Sequence, residues 1–116
     1  MNNEIIELAE KLGKAIAQAP QAQGLREARG ELSKHPDVQQ LLKDYQAQAQ
    51  KIAKLEDENK PIEVDDKRKL QDLQIKLVSD ETFKKYTAAQ VEYVDLMRKV
   101  NSALQKPLAE TESPAR

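Results

Sequence analysis

Residues 83–105, with the sequence FKKYTAAQVEYVDLMRKVNSALQ, decide the fold of this chain. Steps of three and four residues separate a set of mostly apolar side chains within them: Phe83, Tyr86, Gln90, Tyr93, Met97, Val100 and Leu104. In an α-helix this spacing puts these side chains on one face, and such a face is stable when it packs against another helix. The sequence therefore predicts a long helix from about Asp80 to Gln105, which Pro107 ends.

A second stripe with the same spacing lies in the middle of the chain and consists of Val38, Leu41, Tyr45, Gln48, Ile52 and Leu55. It predicts a helix from Pro36 to about Glu58, because proline suits the first turn of a helix. Shorter helices are predicted over about residues 3–19 and 20–33, and from about residue 65 with Asp65 or Asp66 as N-cap. The predicted fold is all-α: an antiparallel helical bundle of about five helices, two of them long, which self-associates.

The domain organisation follows from length and from the supply of large apolar residues. With 116 residues the chain has the size of one domain. We expect residues 1–108 to form a single helical domain and residues 109–116, which are mainly polar, to form a flexible C-terminal tail. Ile, Leu, Val and Phe occupy 26 positions and Trp is absent, so the core is modest. A partner subunit can complete a core of this kind, which favours a homo-oligomer, a dimer or larger.

Charge and composition exclude several classes of function. The chain has 19 basic and 20 acidic residues in mixed order, so its overall field does not favour direct binding of nucleic acid. It has no cysteine, which excludes disulfides, iron–sulfur ligation and thiol catalysis. The sequence shows neither a signal peptide nor an apolar run long enough to cross a bilayer, so we expect a cytoplasmic protein without membrane insertion.

The candidate metal-binding and catalytic patterns are incomplete. His35 is the single histidine, whereas a di-metal helical bundle uses Glu-x-x-His twice together with two further glutamates. Counted from Asp57 in the acidic segment 56–66, a twelve-residue calcium loop would place Pro61, Ile62 and Arg68 at its fifth, sixth and twelfth positions, which require a ligand, a glycine and a glutamate. We therefore predict a protein that is not an enzyme, with no catalytic residue, cofactor or metal.

The predicted activity is association through helix faces. Aromatic and methionine side chains concentrate binding energy at protein interfaces. We expect the interface anchors to be large residues on the two long stripes: Tyr45, Ile52, Phe83, Tyr86, Tyr93 and Met97.

Several ordered motifs resemble a known family. They are Leu8-Ala9-x-x-Leu12-Gly13-x-Ala15-Ile16, Leu25-x-x-Ala28, Pro36-x-x-Gln39-x-Leu41, Tyr86-x-x-Ala89-x-x-x-Tyr93 and Asn101-x-x-Leu104-x-x-Pro107-Leu108. In order, spacing and total length the chain resembles the YlbF/YmcA family of small bacterial helical proteins, and within it the YheA-like branch. The resemblance extends over about residues 4–108.

The resemblance implies an all-helical, self-associating protein without catalytic residues. Related proteins act in a complex that adapts a membrane-bound endoribonuclease and affects RNA maturation, competence and biofilm formation. Those relatives carry cysteines linked to an iron–sulfur cluster, and this chain has none. The leading hypothesis is a non-enzymatic adaptor that self-associates and regulates through contacts with a possible protein partner. The alternative is an adaptor linked to RNA processing or degradation, as in the cysteine-bearing relatives.

Overall fold

The computed structural model describes residues 2–112, and within them every regular element is an α-helix. The helices are α1 (Asn2–Gln18), α2 (Pro20–Ser33), α3 (Pro36–Asp57), α4 (Val64–Ser79) and α5 (Glu81–Glu112). The prediction of an all-α fold with five helices, two of them long, is confirmed.

These helices belong to two compact units. One unit comprises the N-terminal segment through Glu27 and α5 from Ala88 onward; the other comprises residues Ala28–Thr87. The prediction of one domain over residues 1–108 stays a prediction. In the predicted tail, residues 109–112 are helical, and residues 113–116 lie outside the described part of the chain.

The core of the unit Ala28–Thr87 is the pairing of α3 with α4. Val38 on α3 and Leu77 on α4 each expose only 3% of their surface, and Leu73 is also buried. The Gln48 side chain donates a hydrogen bond of 2.9 Å to the backbone carbonyl of Asp66, near the start of α4. This contact near the connecting loop fixes an antiparallel pair, as a short helix–helix connection requires.

A Schellman motif ends α3 before Pro61 is reached. Asn59 has φ 54°, the left-handed conformation that asparagine tolerates better than most residues. The N–H of Lys60 donates to the Leu55 carbonyl at 2.9 Å, and the N–H of Asn59 donates to the Glu56 carbonyl at 3.1 Å. These bonds satisfy carbonyls of the last helical turn, so the local sequence at Asn59 determines where α3 ends.

The predicted N-cap of α4 is wrong. The helix begins at Val64, and Glu63 occupies the N-cap position in extended conformation without a side-chain cap. Asp66 lies within the first turn, where its carboxylate accepts hydrogen bonds from Gln48 and Lys51 on α3. The carboxylate therefore joins the two helices instead of capping one of them.

The start of α5 agrees with the sequence, and its end does not. The Asp80 carboxylate accepts a hydrogen bond of 2.8 Å from the Phe83 N–H, which is the N-cap arrangement. The prediction that Pro107 ends this helix is wrong, because α5 continues through Pro107 to Glu112. Proline removes the N–H that would bond to the carbonyl of Ala103, but both residues are exposed, so water can satisfy that carbonyl.

The break between α1 and α2 lies where the sequence predicts it, and Pro20 is the first residue of the second helix. The last carbonyls of α1 accept side-chain hydrogen bonds. Arg26 donates to the Ala17 carbonyl at 2.8 Å, and Gln23 donates to the Gln18 carbonyl at 3.0 Å. These bonds satisfy groups that a helix end leaves unpaired.

Candidate protein-interaction surfaces

The six predicted anchors share one property: each is half-buried. Tyr45 and Ile52 lie on α3 and Phe83 and Tyr86 at the start of α5, all within the unit Ala28–Thr87; Tyr93 and Met97 lie farther along α5, in the other unit. A half-buried side chain contributes to its own fold and keeps apolar surface for a second contact. The role of these residues in an interface stays a prediction.

Phe83 and Tyr86 form an aromatic pair on the first turns of α5. Their ring centroids lie 6.5 Å apart and the ring planes are tilted by 42°. The separation lies within the range in which aromatic rings attract each other. The pair presents a small, fixed aromatic surface because Asp80 holds the beginning of the helix.

Phe83→Ala is expected to lower the free energy of unfolding by about 1–3 kcal/mol, below the ~3–5 kcal/mol of a fully buried Phe. The reason is that Phe83 is half-buried and its ring keeps contact with solvent. Thermal melts of wild type and variant measure the difference. Lys85→Ala on the same helix turn is exposed and serves as the control; an equal shift in both variants would contradict the aromatic contribution.

A shallow groove follows α5 beyond the aromatic pair. Tyr93 and Met97 supply its large apolar side chains, and it is lined by Tyr93, Val94, Met97, Arg98, Asn101, Ser102 and Gln105. Arg98 on its rim also donates a hydrogen bond to Asp95, which, together with Lys99, lowers the pKa of that carboxyl. An aromatic and methionine centre with a polar rim is the composition found at protein interfaces.

A second groove is more apolar and was not predicted as a binding site. It is lined by Ile5, Leu8, Ala9, Leu12, Gly13, Ile16 and Leu104. The helix α1 (Asn2–Gln18) contains no buried residue, and Ile5 and Leu8 expose 64% and 59% of their surface. The sequence shows the apolar stripe on α1. Periodicity indicates that such a face packs against another surface, but it does not indicate whether that surface belongs to the same chain.

A polar cluster joins α3 to α4 and was also missed. Gln48 is buried, with 5% of its surface exposed, although it lies on the apolar stripe between Tyr45 and Ile52. The Asp66 carboxylate accepts a hydrogen bond of 3.0 Å from the Lys51 ammonium and one of 3.4 Å from Gln48. A buried polar side chain on an apolar stripe requires a partner, and this rule was the available signal.

The hydrogen bond from Lys51, aided by Gln48 and nearby lysines, lowers the pKa of Asp66 against the opposing effect of partial burial. A lowered pKa in the folded state means that the ionised form stabilises the fold. That stability is present above the ordinary pKa of an aspartate and is lost as pH falls through the lowered folded value.

Asp66→Asn is therefore expected to lower the unfolding midpoint at neutral pH and to have a smaller effect at pH about 2, because the stabilising charge of Asp66 is lost as the pH falls through its lowered folded pKa. Urea unfolding at both values measures this difference. Asp65→Asn is the matched control because Asp65 is exposed and forms no ion pair in the described part of the chain. An equal Asp66→Asn effect at both values would contradict the role of the carboxylate charge.

The candidate sites for chemistry remain dispersed. His35 occupies the N-cap position of α3, where its carbonyl accepts from the Val38 and Gln39 N–H groups while its side chain makes no cap hydrogen bond. Among the side chains described in residues 2–111, no group of three or more His, Asp or Glu is placed to hold a metal ion. Within the same range, no helix combines the length and apolar character needed to cross a membrane.

Known proteins share the family and the fold of this chain. Residues 5–109 match the model of a family described as control of competence regulator ComK, YlbF/YmcA. The fold is similar to that of RicA in the X-ray crystal structure of Bacillus subtilis RicA in complex with RicF, with a TM-score of 0.81 and 13% sequence identity. The similarity covers 97% of this chain and 100% of that one. No curated protein gives a significant match.

Proposed function

The chain belongs to the YlbF/YmcA family, and we propose from this premise that it is a non-enzymatic adaptor that self-associates and regulates through contacts with a protein partner. The description of the family concerns the control of a regulator, which fits a role in regulation. The observation that carries the proposal is the amount of apolar surface that this chain leaves in contact with water.

The described chain buries few side chains and exposes many large apolar ones. No described side chain has less than 2% of its surface exposed. The large apolar residues with more than half of their surface exposed are Ile5, Ile6, Leu8, Val64, Ile75, Val78, Val91, Val94, Leu104 and Leu108. Contiguous apolar surface on a soluble protein marks a binding site, because its removal from water is favourable.

The residues on these surfaces favour a protein as the partner. The groove at Tyr93 and Met97 combines residue types that form interface centres with polar groups at its rim. Lys51, Arg98 and Lys99 each lie within ion-pair distance of an aspartate, which reduces the positive field that a phosphate backbone requires. The similar protein RicA is in complex with another protein, RicF, which supports the same kind of contact here.

Site-specific photo-crosslinking in the native cell tests the protein partner. A crosslinking amino acid at Met97, inside the groove, is expected to capture a defined protein. The same amino acid at Glu92, an exposed position on the same helix, is the matched control and is expected to capture much less. Equal capture from both positions, or no adduct from Met97, would contradict a partner site in this groove.

The adaptor linked to RNA processing remains the second candidate, supported by the family of the chain. The same crosslinking experiment separates the two. A ribonuclease or one of its associated proteins captured at Met97 would favour the second candidate, and a protein outside RNA metabolism would favour the first. Binding of purified chain to RNA that weakens steeply with salt would instead indicate direct RNA contact.

A further inference from the structure

The helix α1 carries an apolar face flanked by opposite charges on one edge. Ile5, Leu8 and Leu12 lie on that face. Ile5 and Leu8 expose 64% and 59% of their surface. At 100° per residue, Glu4 and Lys11 lie on the same edge of the face, two turns apart. Both side chains are exposed, and neither takes part in an ion pair with the side chains described in residues 2–111.

We infer that this face packs against the same face of a second copy of the chain, with the two α1 helices antiparallel. The inference rests on the self-association in the proposed function and assigns it to α1. In an antiparallel pair related by a two-fold axis, like edges face each other. Glu4 of one copy then lies near Lys11 of the other, and the symmetry repeats this opposite-charge pair.

A parallel arrangement lacks this complementarity. There, the edge with Glu4 and Lys11 faces the other edge of the partner helix, which carries Ile6, Gly13 and Ala17. In that arrangement Lys11 can form an ion pair only with Glu10, which lies near that edge, and Glu4 faces no lysine or arginine with which to form one. The charge pattern of α1 is therefore self-complementary in the antiparallel orientation.

The sizes of the side chains agree with the same orientation. A register centred between Leu8 and Ala9 sets Ile5 level with Leu12 of the second copy and sets Leu8 level with Ala9 of the second copy. In this register Glu4 lies about two residues, or ~3 Å along the helix axis, from the level of Lys11 of the second copy, a distance that the two long side chains can span. Ile5 then meets a large side chain and Leu8 meets a small one, which allows the helices to interdigitate. Gly13, on the other edge of the face, has no side chain and faces open space in the single chain.

In this assembly the two grooves bind different partners. The α1 groove, which also contains Leu104, shares no lining residue with the α5 groove at Tyr93 and Met97. A second copy can therefore cover the first groove while a protein partner occupies the second. An adaptor requires two such separable surfaces, since one must stay accessible when the other is occupied.

Charge exchange between copies tests the pairing. Glu4→Lys and Lys11→Glu each place like charges together in a homodimer, and each is expected to weaken the dimer about tenfold at low salt. An equimolar mixture of the two variants restores opposite charges at both contacts and is expected to recover the wild-type dissociation constant. The double variant Glu4→Lys with Lys11→Glu is expected to recover it as well.

Controls on the same helix separate the pairing from effects on the helix alone. Glu7→Lys and Lys14→Glu change charges on the opposite face of α1 and are expected to leave the dissociation constant unchanged. Far-ultraviolet circular dichroism checks that each variant is helical, and analytical ultracentrifugation measures the dimer. An effect of the helix alone cannot be reversed by mixing two variants.

Two results would overturn the inference and differ in what they leave standing. If the wild type is a dimer and the mixture is no tighter than either variant alone, the α1 pairing is wrong and the proposed self-association is retained. If the wild type is a monomer throughout the micromolar range, the self-association and the α1 pairing are both wrong.

Discussion

Leu77→Ala is expected to lower the free energy of unfolding by about 2–5 kcal/mol. Leu77 exposes only 3% of its surface and lies in the antiparallel pair α3–α4, the core of the unit Ala28–Thr87. The substitution removes buried methyl groups and leaves a cavity that the neighbouring helix can fill only in part. The loss is a large fraction of the ~5–15 kcal/mol typical of small domains.

Ile75→Ala is the matched control for this experiment. Ile75 lies on the same helix two residues earlier, exposes 53% of its surface and loses a similar number of carbon atoms. Its effect on the free energy of unfolding is expected to stay within about 0.5 kcal/mol. Urea unfolding of the two variants measures the difference, and equal losses would show that Leu77 is not part of a core.

Leu8→Asp is expected to weaken self-association by about 100-fold or more while leaving the helices formed. A two-fold interface contains each residue twice, so one substitution removes two buried leucines and introduces two carboxylates that must lose water. Leu8 exposes 59% of its surface in the single chain, so the fold itself loses little. Analytical ultracentrifugation gives the dissociation constant, and circular dichroism reports the helices.

Val64→Asp provides the control for the charge. Val64 exposes 67% of its surface at the first position of α4, where a carboxylate is favourable to the helix. This variant is expected to keep the wild-type dissociation constant. Equal weakening by both variants would mean that added charge, and not the α1 face, causes the change.

The sequence alone was sufficient to predict those helices and helix ends that interactions between neighbouring residues determine. The spacing of apolar residues predicted five helices, and Pro36 and Asp80 predicted the starts of α3 and α5. Pro107 was misinterpreted because the cost of a proline depends on whether the freed carbonyl can reach water, which exposure decides. The start of α4 was misplaced because Asp66 bonds to another helix, and a contact over 15 residues or more has no signature in the adjacent sequence.

The candidate interaction surfaces were predictable only in part. The two long stripes identified residues such as Tyr93 and Met97, which the structure shows to be half-buried along a groove. The stripe on α1 has the same periodicity, yet it remains exposed in the described chain. Periodicity gives the direction of an apolar face, whereas its exposure depends on how the other helices pack, and this is a property of the tertiary structure.

The molar mass of the wild-type chain in solution tests the central claim most directly. Sedimentation equilibrium across micromolar concentrations is expected to give at least twice the 13.1 kDa of one chain, because the exposed α1 face is favourable to bury in a second copy. A mass of one chain at every concentration would contradict the account.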